Sequence, residues 1–305
     1  MKFKKIPTRQ ELDAVCSDIP IYFLDDEGHK ALVNTLMLIQ AGILAKDGTV
    51  LKKEIRGGEI VFGEDGTVES GTGFIEPHYN DGHQGIVNWT EEELTYITRK
   101  ANAKGLSMHI HTISNKAVNR VVNGGKKEMR NTLIHVYGVN PSDYKRMADN
   151  NIYVAASLIW HCANDESQAD MLRTLPEGMN NKGYPIKSFF DNGVNISSHS
   201  DFPALCGSPD DPFGIMEIAV TGINPLNKGK AWWTEELITR EQAITALTIN
   251  IAKQMFLENE RGSISTGKYA DFLLVDKDVL TCPATEIHTA KPVATYFEGK
   301  KVFSM

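Results

Sequence analysis

Short strand-like runs alternate with amphipathic helical runs from about residue 59 onward. The runs LSMHIH, NTLIHVYG and VNISSHSD read as strands, and a helical run lies between each strand and the next. One of the helices, TEEELTYITRKANAKG, opens on Thr90 with Glu93 three residues later, which is a capping box. Such alternation is typical of βα units that build a parallel sheet. The sequence therefore predicts an α/β fold.

The chain divides into three segments by pattern. Residues 1–58 form an irregular segment with short helices, and residues 59–261 carry the βα units. The last of these helices is predicted to run unbroken through TREQAITALTINIAKQMF. Residues 262–305 hold two β runs with glycine turns and no helix between them, so we expect a small β-sandwich appendage. Its runs GKYADFLLVDKD and KPVATYFEGKKVF should pair as neighbouring strands, with Leu273 and Val293 in one lobe.

Composition narrows the class of protein. The 305 residues are 41% hydrophobic and 23% charged, with a net charge of -7 and basic residues spread along the chain, which argues against nucleic-acid or anionic-membrane binding. There is no apolar run of about eighteen residues, so no membrane span is expected. The widely spaced cysteines suggest free thiols in a reducing compartment, and a cytoplasmic protein is expected. They are Cys16, Cys162, Cys206 and Cys282.

Four polar residues fall at the ends of strand-like runs: His111, His135, His161 and Asp201. In a parallel α/β barrel these ends converge on one face, where active sites are built. Imidazole nitrogen and carboxylate oxygen are ligands that zinc prefers. A single histidine at a strand end is more often an ordinary hydrogen-bonded residue, but the repetition favours a metal site at His111 and His135. His161 is as easily a substrate contact as a ligand.

Other candidates keep two interpretations each. His109 shares a face with His111, so both could reach a metal as a His-x-His pair. His199 shares the face of Asp201 and is either an outer contact of the site or a packed histidine. His29 is a loop contact to substrate or a surface residue, and Asp65 is mainly a turn residue at the end of a strand.

Several stretches in order resemble the amidohydrolase superfamily, in the branch of N-substituted formamide deformylase and AepA-like proteins. They include DGTVESGTGFIEPHYND, GLSMHIHTISNKAVNRV, SHSDFPA and GSISTGKYADFLLVDKD. The resemblance implies a (β/α)8 TIM-barrel-like metal-dependent hydrolase with a divalent metal, zinc being expected. It makes His111 and His135 metal ligands and Asp201 the metal-binding, proton-shuttling aspartate, whereas His109 has no role in it.

The chain also departs from the family pattern. No His-x-His pair precedes residue 58, and Val61 occupies the position where the family often has a lysine. About five of eight barrel strands can be counted, so the barrel is expected to be incomplete. Three protein ligands without that pair or that lysine predict at most one tightly bound ion.

These features predict hydrolysis of a C–N bond in a small amide- or formamide-like molecule by a metal-activated water. Asp201 would move the proton, and His135 or His161 would polarise the carbonyl oxygen. The alternative is a degenerate, non-catalytic barrel that binds a ligand or partner. An open barrel edge would expose unpaired strands, so a homo-oligomer is also expected.

Overall fold

The structure is a computed structural model. It describes residues 8–24, 31–40, 46, 59–63, 65–68, 71–162, 174–179, 183–201, 211–226 and 228–305. Two positions singled out above, His29 and Cys206, lie outside the described residues. The chain divides into two compact units, residues 1–57 and residues 58–305.

The first unit contains short elements, as its irregular sequence predicts. They are helix α1 (Arg9–Val15), strands β1 (Tyr22–Leu24) and β2 (Ala31–Val33), which pair antiparallel, and helix α2 (Thr35–Gln40). Asn34 is fully buried between β2 and α2. Its side chain accepts a hydrogen bond from the Ile21 amide and donates to the carbonyls of Cys16 and Ile19. Because a buried polar group is costly unless it is paired, this one asparagine ties the elements of the unit together.

The second unit is built on a five-stranded parallel sheet in the order β3-β4-β5-β6-β7. The strands are β3 (Glu59–Gly63), β4 (Ser107–Thr112), β5 (Thr132–His135), β6 (Tyr153–Ala156) and β7 (Asn195–Ser198). The helices are α3 (Glu91–Ala103), α4 (Asn115–Val121), α5 (Pro141–Asp149), α6 (Ile186–Asp191), α7 (Pro212–Thr221), α8 (Arg240–Leu247) and α9 (Ile249–Gln254). The predicted α/β fold with a parallel sheet is confirmed, and so is the capping box at Thr90.

One row of apolar side chains crosses the sheet. Ile110, Leu133, Val154 and Ile196 are paired in register on four adjacent strands, and each is fully buried. Burial of each contributes about 2 kcal/mol. Because side chains alternate along a strand, this row sends the residues before and after each member to the opposite face of the sheet.

Three expectations need correction. The predicted strand that reaches His161 ends at Ala156, and His161 closes a separate 3-10 segment, Leu158–His161, because the backbone leaves the extended region at Ser157. The predicted last helix is two helices, broken at Thr248, whose backbone is not helical. Among the described strands the sheet ends at β3 and β7 and does not close, so the barrel expectation holds only as far as the parallel sheet.

The C-terminal segment forms a separate antiparallel sheet. Its strands are β8 (Phe272–Val275), β9 (Pro292–Phe297) and β10 (Lys300–Ser304). Leu273 pairs with Thr295, which confirms the predicted pairing of the two β runs. The described residues of this segment form one three-stranded sheet instead of a sandwich. A 3-10 helix, Ala284–Thr289, lies between β8 and β9, where no helix was expected.

This 3-10 helix anchors the small sheet to the α/β body. Ile287 is fully buried, and the Glu217 carboxylate of α7 accepts hydrogen bonds from the backbone amide and ring Nδ1 of His288, at 2.9 and 2.7 Å. The Glu217 side chain is only 3% exposed, so its charge depends on these donors. None of the described helices is both long enough and apolar enough to cross a membrane.

Removing this anchor should destabilise the protein measurably. We expect Glu217→Ala to lower the free energy of unfolding by about 2 kcal/mol, because the backbone and ring donors of the part-buried His288 lose their acceptor. Glu217→Gln keeps an acceptor oxygen and should cost less. The matched control is Glu286→Ala, which removes a half-exposed carboxylate paired with Lys277 on the same 3-10 helix and should cost less than about 1 kcal/mol. Urea denaturation measures all three, and equal losses for the two alanine variants would contradict the anchoring role.

Candidate functional site

Three of the predicted site residues lie at the carboxyl edge of the parallel sheet. His111 is the second-last residue of β4, His135 is the last residue of β5, and Asp201 follows β7 by three residues. Because parallel strands share their direction, these ends meet along one edge of the sheet. The register pairs Thr112 with His135, which brings the two histidines side by side.

The distances show that these residues are neighbours. The ring centroids of His111 and His135 are 4.8 Å apart, with the rings edge to face at 73°. His135 Nε2 lies 4.0 Å from Asp201 Oδ1. Two imidazoles and one carboxylate therefore share one corner of the structure, although 66 residues separate His135 from Asp201 in the sequence.

The backbone at this corner is strained. His135 and Val136 have φ values of 71° and 56°, and Asp201 has a φ of 56°, all in the left-handed region that side chains with a Cβ rarely adopt. The Val136 amide donates to the Thr112 carbonyl at 3.2 Å, which holds the turn after β5 against β4. Trp160 stacks on the His135 ring at 4.7 Å and 14°. Strained conformations persist where surrounding contacts over-determine them, and they cluster at functional sites.

Asp201 has the electrostatics of a group that exchanges protons. Its side chain is 24% exposed, and burial raises the pKa of its carboxyl from 3.8 to about 6. A carboxyl group whose pKa lies near neutral can both accept and release a proton under ordinary conditions.

Sequence reasoning left His199 open and did not single out Ser157. The structure places both beside His135. His199 Nδ1 lies 3.9 Å from Asp201 Oδ1, and the rings of His199 and His135 are 5.2 Å apart. The buried Ser157 hydroxyl lies 2.9 Å from His135 Nδ1 and 3.0 Å from His199 Nε2. The only sequence signal for Ser157 was its position just after a strand, since its partners are 22 and 42 residues away.

His161 occupies a different place from the one its sequence position suggested. It is fully buried, its ring lies 5.9 Å from that of Trp233, and burial lowers the pKa of its imidazole to about 4. Within the described ranges, His161 makes no hydrogen bond, ion pair or ring contact with His111, His135 or Asp201. His161 remains a predicted site residue. Contacts within the structure bring together His111, His135 and Asp201.

His109 points to the same side of the sheet as His111 and influences His199. Partial burial and the nearby His109 together lower the pKa of His199 to about 4, so His199 is neutral at pH 7. In the strand register, Val61 pairs with His109. Val61 stands at the position that often holds a lysine in the family that the sequence resembles. This position is therefore next to His109, and its valine supplies no ligand atom.

The donor set suits one divalent ion in its chemistry, and one pair of its ligand atoms lies near the required spacing. A tetrahedral ion with bonds of about 2.1 Å separates its ligand atoms by about 3.4 Å, slightly less than the distance from His135 Nε2 to Asp201 Oδ1. His135 also turns Nδ1 toward Ser157 and leaves Nε2 facing Asp201, the arrangement typical of a histidine ligand. In the part of the chain that the structure describes, no three His, Cys, Asp or Glu side chains are already grouped closely enough to hold a metal. An ion would have to draw these residues together.

Asp65 stabilises the carboxyl edge of the sheet through hydrogen bonds to the loops beside it. Its carboxylate is buried and accepts hydrogen bonds from the amides of Phe74, Ile113 and Ser114, at 3.0, 2.9 and 3.1 Å. It therefore joins the turn after β3 to the loop that follows His111. Burial raises the pKa of Asp65 to about 6, although the hydrogen bonds from Ile113 and Phe74 act in the opposite direction. The interpretation of Asp65 as a turn residue missed this long-range role.

Comparison with known proteins identifies related sequences and folds. The model of a family described as "Amidohydrolase family" matches residues 48–303. The chain is 23% identical over 300 residues to Protein LONG AFTER FAR-RED 3 of Arabidopsis thaliana. The aligned region covers 93% of this chain and 50% of that protein. It is 26% identical over 232 residues to N-substituted formamide deformylase of Arthrobacter pascens, covering 71% of this chain and 40% of that protein.

Among solved structures, an uncharacterized metal-dependent hydrolase from Pyrococcus horikoshii OT3 has the same fold. The TM-score is 0.64 at 20% identity, over 81% of this chain and 49% of that chain. The chain spans about half the length of the curated relatives that it matches.

The raised pKa of Asp65 predicts a pH dependence of stability. Between pH 3.8 and about 6 the folded protein binds more protons at Asp65 than the unfolded chain does. The contribution of Asp65 to the free energy of unfolding should therefore fall by on the order of 3 kcal/mol as pH rises through this window, while the lowered pKa values of His161 and His199 act in the opposite direction. Above about pH 6 this contribution becomes constant. Asp201 acts in the same direction when no metal is bound.

Urea unfolding of the chelator-treated protein at pH 4, 5, 6 and 7 measures this dependence. Asp65→Asn removes the titrating group, so its free energy of unfolding should increase relative to that of the native sequence as pH rises over this range. Asp201→Asn is the matched comparison, because it removes only the contribution of Asp201 to the pH dependence of stability. If Asp65→Asn and the native sequence gave parallel curves, the raised pKa of Asp65 would be wrong.

Proposed function

We propose that this chain, which belongs to the amidohydrolase family, carries the metal site of a hydrolase that cleaves C–N bonds in small amide- or formamide-like molecules. The observation that carries the proposal is the convergence of His111, His135 and Asp201 at the carboxyl edge of the parallel sheet. Active sites of α/β barrels are built at this edge.

The substrate class rests on chemistry and on one relative. The Arthrobacter pascens protein is named as an N-substituted formamide deformylase, which supports a formamide-like C–N bond as the group attacked. The acidic chain and the spread of its basic residues favour a small molecule over nucleic acid. We further propose that the five parallel strands are part of a (β/α)8 barrel, which the fold shared with the Pyrococcus horikoshii hydrolase supports.

His111 and His135 would hold one divalent ion, zinc by the preference of imidazole ligands, with Asp201 as the third protein group. When bound, such an ion lowers the pKa of a water molecule and polarises a carbonyl oxygen. His135 contributes Nε2, since its Nδ1 is engaged by Ser157. The stacked Trp160 keeps the ring of His135 in this orientation.

Asp201 would carry the proton through the reaction. Its carboxylate accepts a proton from the water that attacks the carbonyl carbon, and it delivers that proton to the nitrogen as the C–N bond breaks. The products are a carboxylic acid and an amine. A pKa near 6 suits both steps at neutral pH. The polarising roles of His161 and His135 both stay predictions. His161 lies apart from Asp201, and His135 has no ring nitrogen left for the carbonyl oxygen when Nε2 holds the ion and Nδ1 engages Ser157.

One feature favours the second candidate, a non-catalytic barrel that binds a ligand or partner. Val61, at the position that often holds a lysine in the family that the sequence resembles, supplies no ligand next to His109. A site that depends on two imidazoles and one carboxylate binds metal weakly unless the third ligand is held in place. Metal content and turnover distinguish the two candidates.

The first test of the proposal is metal stoichiometry. We expect one zinc ion per chain by mass spectrometry, and its loss in His111→Ala and in His135→Ala, because each removes an imidazole ligand. His78→Ala, which changes an exposed histidine, is the matched control and should keep the ion. Two ions would contradict the predicted ligand set, and no ion would favour the non-catalytic barrel.

The second test is turnover of an N-substituted formamide, followed by release of formate. Asp201→Asn should lower kcat by 100-fold or more when assayed at a zinc concentration that saturates the variant, since it loses its proton carrier and keeps both imidazoles. The turnover of His161→Ala tests the prediction that His161 polarises the carbonyl oxygen. Full activity of Asp201→Asn would overturn the proposed mechanism.

Self-association is a further proposal at the level of the whole molecule. In the described sheet β3 and β7 lie at the two edges, and exposed strand edges pair readily with another chain. We expect sedimentation to show a homo-oligomer, and a stable monomer would contradict this. We also propose a cytoplasmic location, which suits the free thiols of Cys16, Cys162 and Cys282.

A further inference from the structure

We propose that residues 71–86, which we call the strap, are held closed at the carboxyl edge of the sheet by His83 in its protonated form, so that the strap loosens as pH rises. The residues that hold it lie outside the proposed metal site, and a test of the strap requires neither metal nor turnover. The inference therefore goes beyond the proposed function and can be wrong or right independently of it.

The strap begins beside the loop that follows His111. It comes after β3 in the chain, and the backbone amide of Glu76 donates to Asn115 Oδ1 at 3.1 Å. In return, Asn115 Nδ2 donates to the Glu76 carbonyl at 2.7 Å. Asn115 is the first residue of α4 and comes four residues after His111. This pair of hydrogen bonds fixes the first arm of the strap to the connection between β4 and α4.

The tip of the strap reaches a second connection. The backbone amide of Asn80 donates to the Thr174 carbonyl at 3.0 Å, and its side chain donates to the Leu175 carbonyl at 2.9 Å. Both acceptors belong to the chain between β6 and α6. Connections from a strand to the next helix lie at the carboxyl edge of a parallel sheet, where the candidate site is. The strap therefore joins two of the loops that surround this edge.

The two arms of the strap touch through backbone alone. The Ile86 amide donates to the Thr72 carbonyl at 3.0 Å. Gly85 has a φ of 88°, and a Cβ at this position would overlap the carbonyl group of Gly73 on the other arm. This close approach defines one closed position of the strap.

His83 connects the tip of the strap to its beginning. Its Nδ1 makes a hydrogen bond with Asp81 Oδ1, and its Nε2 lies 2.7 Å from the carbonyl oxygen of Gly71. The imidazole stacks on the ring of Tyr79, with centroids 4.4 Å apart and an angle of 10°. Tyr79 is buried and donates its hydroxyl to the Gly73 carbonyl at 3.0 Å, so the surface on which His83 rests is fixed.

Both partners of the His83 ring are hydrogen-bond acceptors. An ionised carboxylate and a carbonyl oxygen have no proton to donate, so each of the two bonds requires an N–H on the ring. A neutral imidazole has one N–H and keeps only one bond, whereas the imidazolium makes both. The closed strap therefore corresponds to protonated His83.

The surroundings of His83 favour the charged form. The hydrogen bond to the Gly71 carbonyl, followed by that to Asp81, raises the pKa of His83 above its ordinary value of 6.5. Asp81 is the charged group that acts on this ring within the described part of the chain. Because the pKa is raised, the stabilisation is complete below pH 6.5 and is lost as pH rises through the pKa of the folded protein. The side chains of His83 and Asp81 are 45% and 72% exposed, so the effect on strap opening should be small.

Hydrogen exchange of the full chain measures strap opening. The amides of Ile75, Tyr79 and Ile86 each donate to a carbonyl on the facing arm. Their exchange rates, divided by the intrinsic rates at each pH, should increase roughly fivefold between pH 6 and pH 9, the effect expected of one exposed charged pair. The Ile152 amide, which donates to the Met147 carbonyl outside the strap, is the reference for global changes. NMR titration of the histidines gives the pKa of His83, which should equal the midpoint of the increase.

Three variants connect the exchange to His83. His83→Gln cannot form the cation, so at pH 6 its strap amides should already exchange as fast as those of the native protein at pH 9. Asp81→Asn removes the charge that favours the cation, so the pKa of His83 and the midpoint of exchange should both move to lower pH. His78→Gln changes an exposed histidine of the same strap and should alter neither quantity.

Two results would overturn the inference. One is exchange of the strap amides that, relative to Ile152, is the same at pH 6 and pH 9. The other is an increase that persists in His83→Gln, or whose midpoint does not move when Asp81→Asn lowers the pKa of His83. If His83→Gln fails to fold, the native protein and Asp81→Asn still decide the question. A protein that binds no zinc would contradict the proposed function and leave this test unaffected.

Discussion

The in-register row of Ile110, Leu133, Val154 and Ile196 is the constraint on which the rest of the second unit depends. Burial of these four side chains on one face of the sheet fixes which residues point to the other face, because successive side chains of a strand point to opposite faces. His109 and His111 lie on either side of Ile110 and must therefore emerge together on the opposite face. A slip of one residue in β4 would put His109 or His111 in the place of Ile110 in this row.

The chemistry lies where the regular pairing stops. His135 ends β5 in a left-handed conformation, Ser157 turns the chain after β6, and Asp201 follows β7 in another left-handed turn. The ends of strands are where backbone groups no longer have ladder partners, so the chain can turn a side chain toward the edge. The strain is held by contacts from neighbouring strands, such as the bond from the Val136 amide to the Thr112 carbonyl.

Buried carboxylates perform two kinds of task in this molecule. Asp65 and Glu217 each accept hydrogen bonds from groups far away in sequence. Asp65 holds the loop after β4 to the sheet, and Glu217 holds the small C-terminal sheet to the α/β body. Among the described residues Asp201 has no such set of amide donors, and burial raises its pKa as it raises that of Asp65. An anchored carboxylate stabilises a structure, whereas a poorly satisfied one at a sheet edge is available for proton transfer.

The sequence by itself determined the local elements and most of the candidate site. The capping box at Thr90, the parallel α/β class and the strand-end positions of His111, His135 and Asp201 all follow from spacing, which acts over a few residues. The tertiary structure alone decided the place of His161, the break at Thr248 and the bridge from His135 through Ser157 to His199. It also decided that Asp65 binds the amides of Ile113 and Ser114, 48 and 49 residues away. The reason is that hydrogen bonds between distant residues depend on the register and turns of several strands at once, and no single strand encodes that register.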